Sequence, residues 1–241
     1  MKKHFCAIVL VFATSVWFTS CIDIIEDMIL HKDGSGKYAI TMDMGEMMND
    51  PMLKGMMESD EKNEMKDMDS TVYFKDLPDS VIKDNPDLWS RVHMRIYNNA
   101  KEEAFFVKIN FDFKKVDEIA YLSANLSKVM NATKANPLAG EEAGQGGPSG
   151  FLDEGLGYML KGKELVRKTA DKVNEEPGED LEMLKTFLGG AEYKMNFELP
   201  GKVKKVTIPN ARVDGKKVTV VTPFLEILEK KTKMDGSISY K

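Results

Sequence analysis

Apolar and polar residues alternate with a period of two in three separate parts of this chain, and each part reads as antiparallel β-structure. The first is residues 24–31, followed by the turn Lys32-Asp33-Gly34-Ser35-Gly36-Lys37 and by residues 38–44. There Tyr38, Ile40, Met42 and Met44 share one face, and Thr41 and Asp43 share the other. Glycine accepts the positive φ of a tight reversal, so this segment is a predicted hairpin. In the second part, Val92, Met94 and Ile96 alternate with His93, Arg95 and Tyr97. Past Asn98-Asn99-Ala100-Lys101, the series Phe105, Val107, Ile109, Phe111, Phe113 alternates with Lys108, Asn110 and Asp112. One apolar and one polar face is what an antiparallel sheet with a solvated side requires. The third part opens with Tyr193, Met195, Phe197 and Leu199. Candidate strands at 203–208 and 218–221, around Asp214-Gly215, and a last one at 236–240 complete it.

Between these parts the period changes to that of a helix. Val116, Ile119, Leu122, Leu126 and Val129 form one stripe over 116–130. Residues 45–70 are rich in methionine, and Met48, Met52 and Met56 recur every four residues, the spacing of a helix face. Pro51 and Gly55 weaken that helix. Shorter helices are expected at about 180–188, ended by Gly189-Gly190, and at 224–228. Residues 132–150 are dominated by Gly, Ala, Pro and Glu; little there can pack, so they read as a mobile loop. No internal repeat is visible.

The N-terminus follows a different logic. Lys2 and Lys3 precede an apolar run, and Phe18-Thr19-Ser20 stands immediately before Cys21. That is the pattern of a lipoprotein signal peptide over 1–20, with Cys21 acylated and made the new N-terminus by cleavage after Ser20. The alternative is an ordinary secretory signal with an incidental cysteine, since Phe18 stands where lipoprotein signals prefer an aliphatic residue. The run is too short and too interrupted by Thr14, Ser15, Thr19 and Ser20 to span a bilayer, which takes about 20 mostly apolar residues. Each buried acyl methylene contributes about 0.8 kcal/mol, and two or more chains hold a protein at a membrane. Ile22 stands where an Asp would favour inner-membrane retention, which points to the outer membrane of a diderm envelope.

Cleavage removes two lysines and no acid, moving the formal charge from −5 to −7. An acidic chain does not suit nucleic acid, which selects a basic face. Cleavage also removes Cys6, and Cys21 is consumed by lipid, so residues 21–241 must be held by a core without disulfides. A stretch of that length buries one good core, and we read it as a single domain.

Taken together, these residues resemble the LppM-type domain of bacterial lipoproteins. The resemblance rests on Cys21 leading directly into a strand, the turn 32–37 followed by Tyr38, the Met-rich stretch after the hairpin, and the tail Leu199-Pro200-Gly201-Lys202-Val203 with Asn210 and Asp214-Gly215-Lys216-Lys217-Val218. It implies an α+β fold, a curved antiparallel sheet with helices packed on one face, able to hold a lipid or another apolar ligand. It brings no catalytic residues and no cofactor.

The residues themselves suggest little catalysis. After cleavage only His31 and His93 remain as histidines, the first beside a turn and the second on the polar face of a strand. No Gly-x-Ser-x-Gly elbow and no phosphate-binding loop occurs. Glu26 and Asp27 are adjacent in a strand and so face opposite ways. The expectation is a non-enzymatic protein. Its candidate ligand- or partner-binding residues are Met44, Met47, Met48, Met52, Met56 and Met57, because flexible thioethers repack around varied apolar surfaces. Held beside a bilayer, such a face meets lipids or a membrane partner at high effective concentration. The alternative is a copper(I)-binding protein, since thioethers select that ion. A further reading is plain packing of the stripe against the sheet.

Overall fold

In a computed structural model of the chain, the described residues are 22–49, 67–133, 156–169 and 188–241. The signal segment, Cys21, Met52, Met56, Met57, the stretch 134–155 and the expected helix at 180–187 lie outside them.

Twelve strands follow one another among the described residues. They are β1 (Asp23–Leu30), β2 (Gly36–Asp43), β3 (Met68–Tyr73), β4 (Val92–Asn99), β5 (Ala104–Phe113) and β6 (Gly157–Lys161). Then come β7 (Glu164–Lys168), β8 (Glu192–Glu198), β9 (Val203–Val206), β10 (Ala211–Asp214), β11 (Lys217–Pro223) and β12 (Gly236–Tyr240). Eight form a large sheet in the order β10-β11-β8-β1-β2-β5-β4-β3, and four form a small one in the order β6-β7-β12-β9. With helices added, the fold is α+β, as the alternation and the helical stripe predict.

The large sheet is mixed rather than wholly antiparallel. β1 runs parallel to β8, with Ile24 opposite Tyr193 and Met28 opposite Phe197, while its other pairings are antiparallel. The reason is topological: the N-terminal strand lies in the middle of the sheet, and its second neighbour arrives from far along the chain, free of a hairpin's constraint on direction.

Strand alternation sets the two faces. Ile24, Met28 and Leu30 of β1 point inward with Tyr38, Ile40 and Met42 of β2 and with Val107, Ile109, Phe111 and Phe113 of β5, all buried. The helix Glu118–Thr133 lies over them and buries Ile119, Leu122, Leu126, Val129 and Met130. Beside it, Asn85 caps the short helix Pro86–Trp89 by accepting from the Leu88 amide at 3.2 Å, with proline in the favoured first turn. That helix seats Trp89 in a stack on Phe74, ring centroids 5.7 Å apart.

β2 begins at a glycine for want of room. A Cβ on Gly36 would lie 2.0 Å from the Ile29 carbonyl oxygen and 2.5 Å from the Phe113 ring.

Two local expectations change. Residues 68–70 are an edge strand rather than helix: Met68 pairs with Asn98 and Val72 with Met94, because the Thr71-Val72-Tyr73 run prefers a pleated surface and continues backward from there. β10 is a strand that the pattern does not announce. Its four residues are mostly exposed and are held by a turn through Gly215, at φ 59°, onto β11.

Candidate functional site

The register gathers one end of the large sheet. Asp23 lies opposite Asp43 and Glu192, Asp43 opposite Phe106, and Met68 opposite Asn98. Ile22, the residue after Cys21, is buried at this end. The Met-rich stretch leaves from here after Met44 and returns here at Met68. Thus Ile22, the first described residue, and both described ends of the methionine segment share one pole.

Within that segment the described methionines have different lots. Met44 is 3% exposed, and its amide donates to the Phe105 carbonyl at 2.8 Å, so it belongs to the core. Met47 is half-buried on the helix Gly45–Asn49 and packs against the core. Met48 is on the same helix, its side chain outside the described residues, as are Met52, Met56 and Met57. A common site for all six is therefore outside what the described residues bring together.

The apolar sheet face offers little space of its own. Between it and the helix Glu118–Thr133 is a recess of about 20 Å³, lined by Tyr38, Ile40, Ile109, Leu122 and Leu126 among others. That is room for about one water, against roughly 300 Å³ or more for a small-molecule pocket. The larger concavity, about 580 Å³, lies across the solvated face instead. Ala39 forms part of its floor, with Asp27, Asn110, His93, Asn196 and Thr219 around it. Register places these side chains in one row across the strands, and the Asn196 amide donates to Asp27 at 2.9 Å. His93 stacks at a tilt on Tyr73. His31, by contrast, is tied to Ser35 at the first turn.

A second concentration of chemistry is buried between the sheets. Glu26, on the inner face of β1, is fully buried, and Arg167 of β7 is 3% exposed. Arg167 Nη2 donates to a Glu26 carboxylate oxygen and to the Tyr193 hydroxyl, each at 3.2 Å, while Nη1 donates to the Met234 carbonyl and Nε to the Tyr158 hydroxyl, each at 3.1 Å. The Tyr158 and Tyr193 hydroxyls both donate to Glu26. Burial, and then the negative charge of Glu26, push the ionisation of Tyr38 and Tyr158 well above that of free tyrosine, and that of Tyr193 upward too. Burial opposes the Arg167 charge, yet Glu26 and the two tyrosines outweigh it and hold the guanidinium more firmly protonated than usual. No buried side-chain polar atom among the described residues is left without a partner. With each of its polar atoms hydrogen-bonded, this cluster joins two sheets. A sequence signal for it exists: Glu26 is in phase with Ile24, Met28 and Leu30.

No family model matches the chain, and no curated protein matches it. Among solved structures it is similar to the folded domain of the LppM protein of Mycobacterium tuberculosis, determined by NMR. The alignment covers 94% of each chain at 10% identity, with a TM-score of 0.44. The resemblance named from the sequence and the structural neighbour are thus the same kind of domain. Among the described residues, no helix is long and apolar enough to cross a membrane.

Proposed function

We propose that this protein is a non-enzymatic lipoprotein of the bacterial envelope, lipid-anchored through Cys21, whose methionine-rich stretch meets a lipid-like ligand or a partner protein at the membrane surface. The observation that carries this reading is the shared pole. Ile22, Met44, Met47 and Met68 stand at one end of the large sheet, so a bilayer holding Cys21 holds the methionine stretch next to itself. The narrow recess under the long helix also favours binding at this pole over an acyl cavity inside the sheet–helix seam. Thioether side chains are polarisable and flexible, and adapt to irregular apolar partners. The second residue after cleavage, Ile22, is in keeping with outer-membrane sorting.

Metabolic labelling with a fatty acid tests the anchor: the wild type takes up label and sediments with membranes, and Cys21→Ser does neither. An unlabelled wild type overturns the reading. Native mass spectrometry of the full chain released from nonionic detergent tests the binding role. Recurrent bound lipid or a stoichiometric partner is expected, weakened when Met47, Met48, Met52, Met56 and Met57 are replaced by serine. Retention unchanged by those replacements would remove the stretch from the site.

A further inference from the structure

The pole farthest from Ile22 carries the opposite charge to the pole beside it. β1 starts at Asp23 and rises about 25 Å along its eight residues, ending at Leu30. Around the starting end stand Asp23, Asp43, Asp69, Glu102 and Glu103. At the far end three chain reversals meet, and backbone hydrogen bonds fasten them to each other. The Tyr240 amide donates to Lys163 at 3.1 Å, the Lys241 amide to Lys202 at 2.9 Å, the Leu199 amide to Lys216 at 2.9 Å, and the Val203 amide to Gly215 at 2.9 Å.

These reversals bring together Lys163, Lys202, Lys204, Lys205 and Lys216, all exposed. None of the five has an ion-pair partner among the described residues, although the chain as a whole has 39 acids against 34 bases. Glu164, Glu198 and Asp214 are the acids flanking the same turns, fewer than the lysines. The arrangement is also rigid. A Cβ at Gly201 would lie 2.1 Å from the Lys241 carbonyl oxygen, so the β8–β9 link is pressed directly onto the last strand.

We propose that this distal lysine corner docks a polyphosphate-type polyanion, a flexible chain of closely repeated phosphate groups. Charge complementarity selects an anion, and a local cluster of unneutralised cations on an acidic molecule draws one in by its field. Lysine is a compact point charge on a flexible stem, suited to phosphate without the fixed fork geometry of arginine. Any single exposed lysine contributes little. Only a ligand with many linked charges gains from five of them, because each contact after the first is intramolecular. The anchoring bilayer is excluded by position, at the other end of the sheet.

The test uses the full chain in nonionic detergent with labelled long-chain inorganic polyphosphate, read by fluorescence anisotropy. Binding at low salt is expected, with log affinity falling linearly against log salt as counterions are released. The Lys202→Glu, Lys204→Glu, Lys205→Glu variant loses at least about tenfold in affinity, and the matching glutamine variant falls between it and the wild type. Replacing Lys75 and Lys83, elsewhere on the molecule, by glutamate changes affinity by less than about twofold. All three corner positions are exposed, so circular dichroism of the variants should match the wild type. The proposal is overturned if polyphosphate fails to bind at low salt, or if the charge-reversed variant binds as well as the wild type. Anionic vesicles engaging these lysines while polyphosphate does not would equally overturn it.

Discussion

The inner face of the large sheet meets two partners, and the two seams differ in what is buried at their centres. Against the helix Glu118–Thr133 the contact is Ile40, Ile109, Ile119, Leu122 and Leu126, closed to a recess of about 20 Å³. Against the small sheet, buried Leu165, Ile238 and Phe197 surround Glu26, Arg167, Tyr158 and Tyr193, a charged knot with every polar atom bonded. An apolar seam tolerates sliding, because dispersion and the hydrophobic effect are nondirectional. The charged knot admits one docking, since a shift strands a carboxylate and a guanidinium where water cannot reach them. The difference teaches where the molecule is specified rather than merely filled.

The heaviest damage should follow from halving the knot. Arg167→Met leaves Glu26 buried without its cation, which costs about 3–5 kcal/mol by the usual penalty for an uncompensated buried charge. Thermal or denaturant unfolding reads this directly. The Glu26→Met, Arg167→Met double variant should be more stable than either single one, because an apolar pair leaves no stranded charge. If instead the double variant is the least stable, the knot contributes more than its desolvation costs, and the two seams differ less than we argue.

The knot also sets an alkaline limit. Tyr158 and Tyr193 ionise less readily in the folded chain than in the unfolded one. Their folded values are raised, so their contribution is present below the unfolded value of about 10 and is lost as pH climbs past it. Denaturation midpoints should be level through neutral pH and fall above about pH 10. The Tyr158→Phe, Tyr193→Phe variant should flatten that fall while lowering stability at neutral pH, since Glu26 loses two donors.

The helix seam should break more gently. Leu126→Ala opens a cavity in a packed apolar layer and should cost about 3 kcal/mol, with no new dependence on pH. A pH-dependent loss there would mean that water and charge enter the seam.

This contrast also explains what was legible beforehand. Periodicity placed the β1–β2 and β4–β5 hairpins, the stripe from Val116 to Val129, and the helix Phe224–Leu228, because each buries one face and alternation or a 3.6 period records that burial. The parallel partnership of β1 and β8 left no such record. Pairing between distant strands depends on which edges meet, and residue order at either strand is silent on that. β10 was invisible since it buries almost nothing. Glu26 was legible as a charge in an apolar phase, but its partner Arg167, 141 positions away, was not. The far lysine corner is likewise assembled by three separate turns, each unremarkable in the linear chain.

The smallest effect belongs to an ion pair that looks better than the buried one. Arg95 grips Asp69 with two hydrogen bonds of 2.8 and 2.9 Å, shorter than any made by Arg167 to Glu26. Its hydrogen bonds to Arg95 hold the Asp69 carboxyl below the ordinary aspartate value. A lowered value means a contribution present above the unfolded pKa and lost as pH falls through the folded one. Both side chains are open to solvent, however, at 43% and 55% exposure, and water screens what geometry offers. Asp69→Asn should therefore leave the melting temperature unchanged within the precision of a scan at physiological salt, while Arg167→Met under the same conditions lowers it by many degrees. Equal losses from the two variants would mean that bond geometry, and not desolvation, governs charge pairs in this fold.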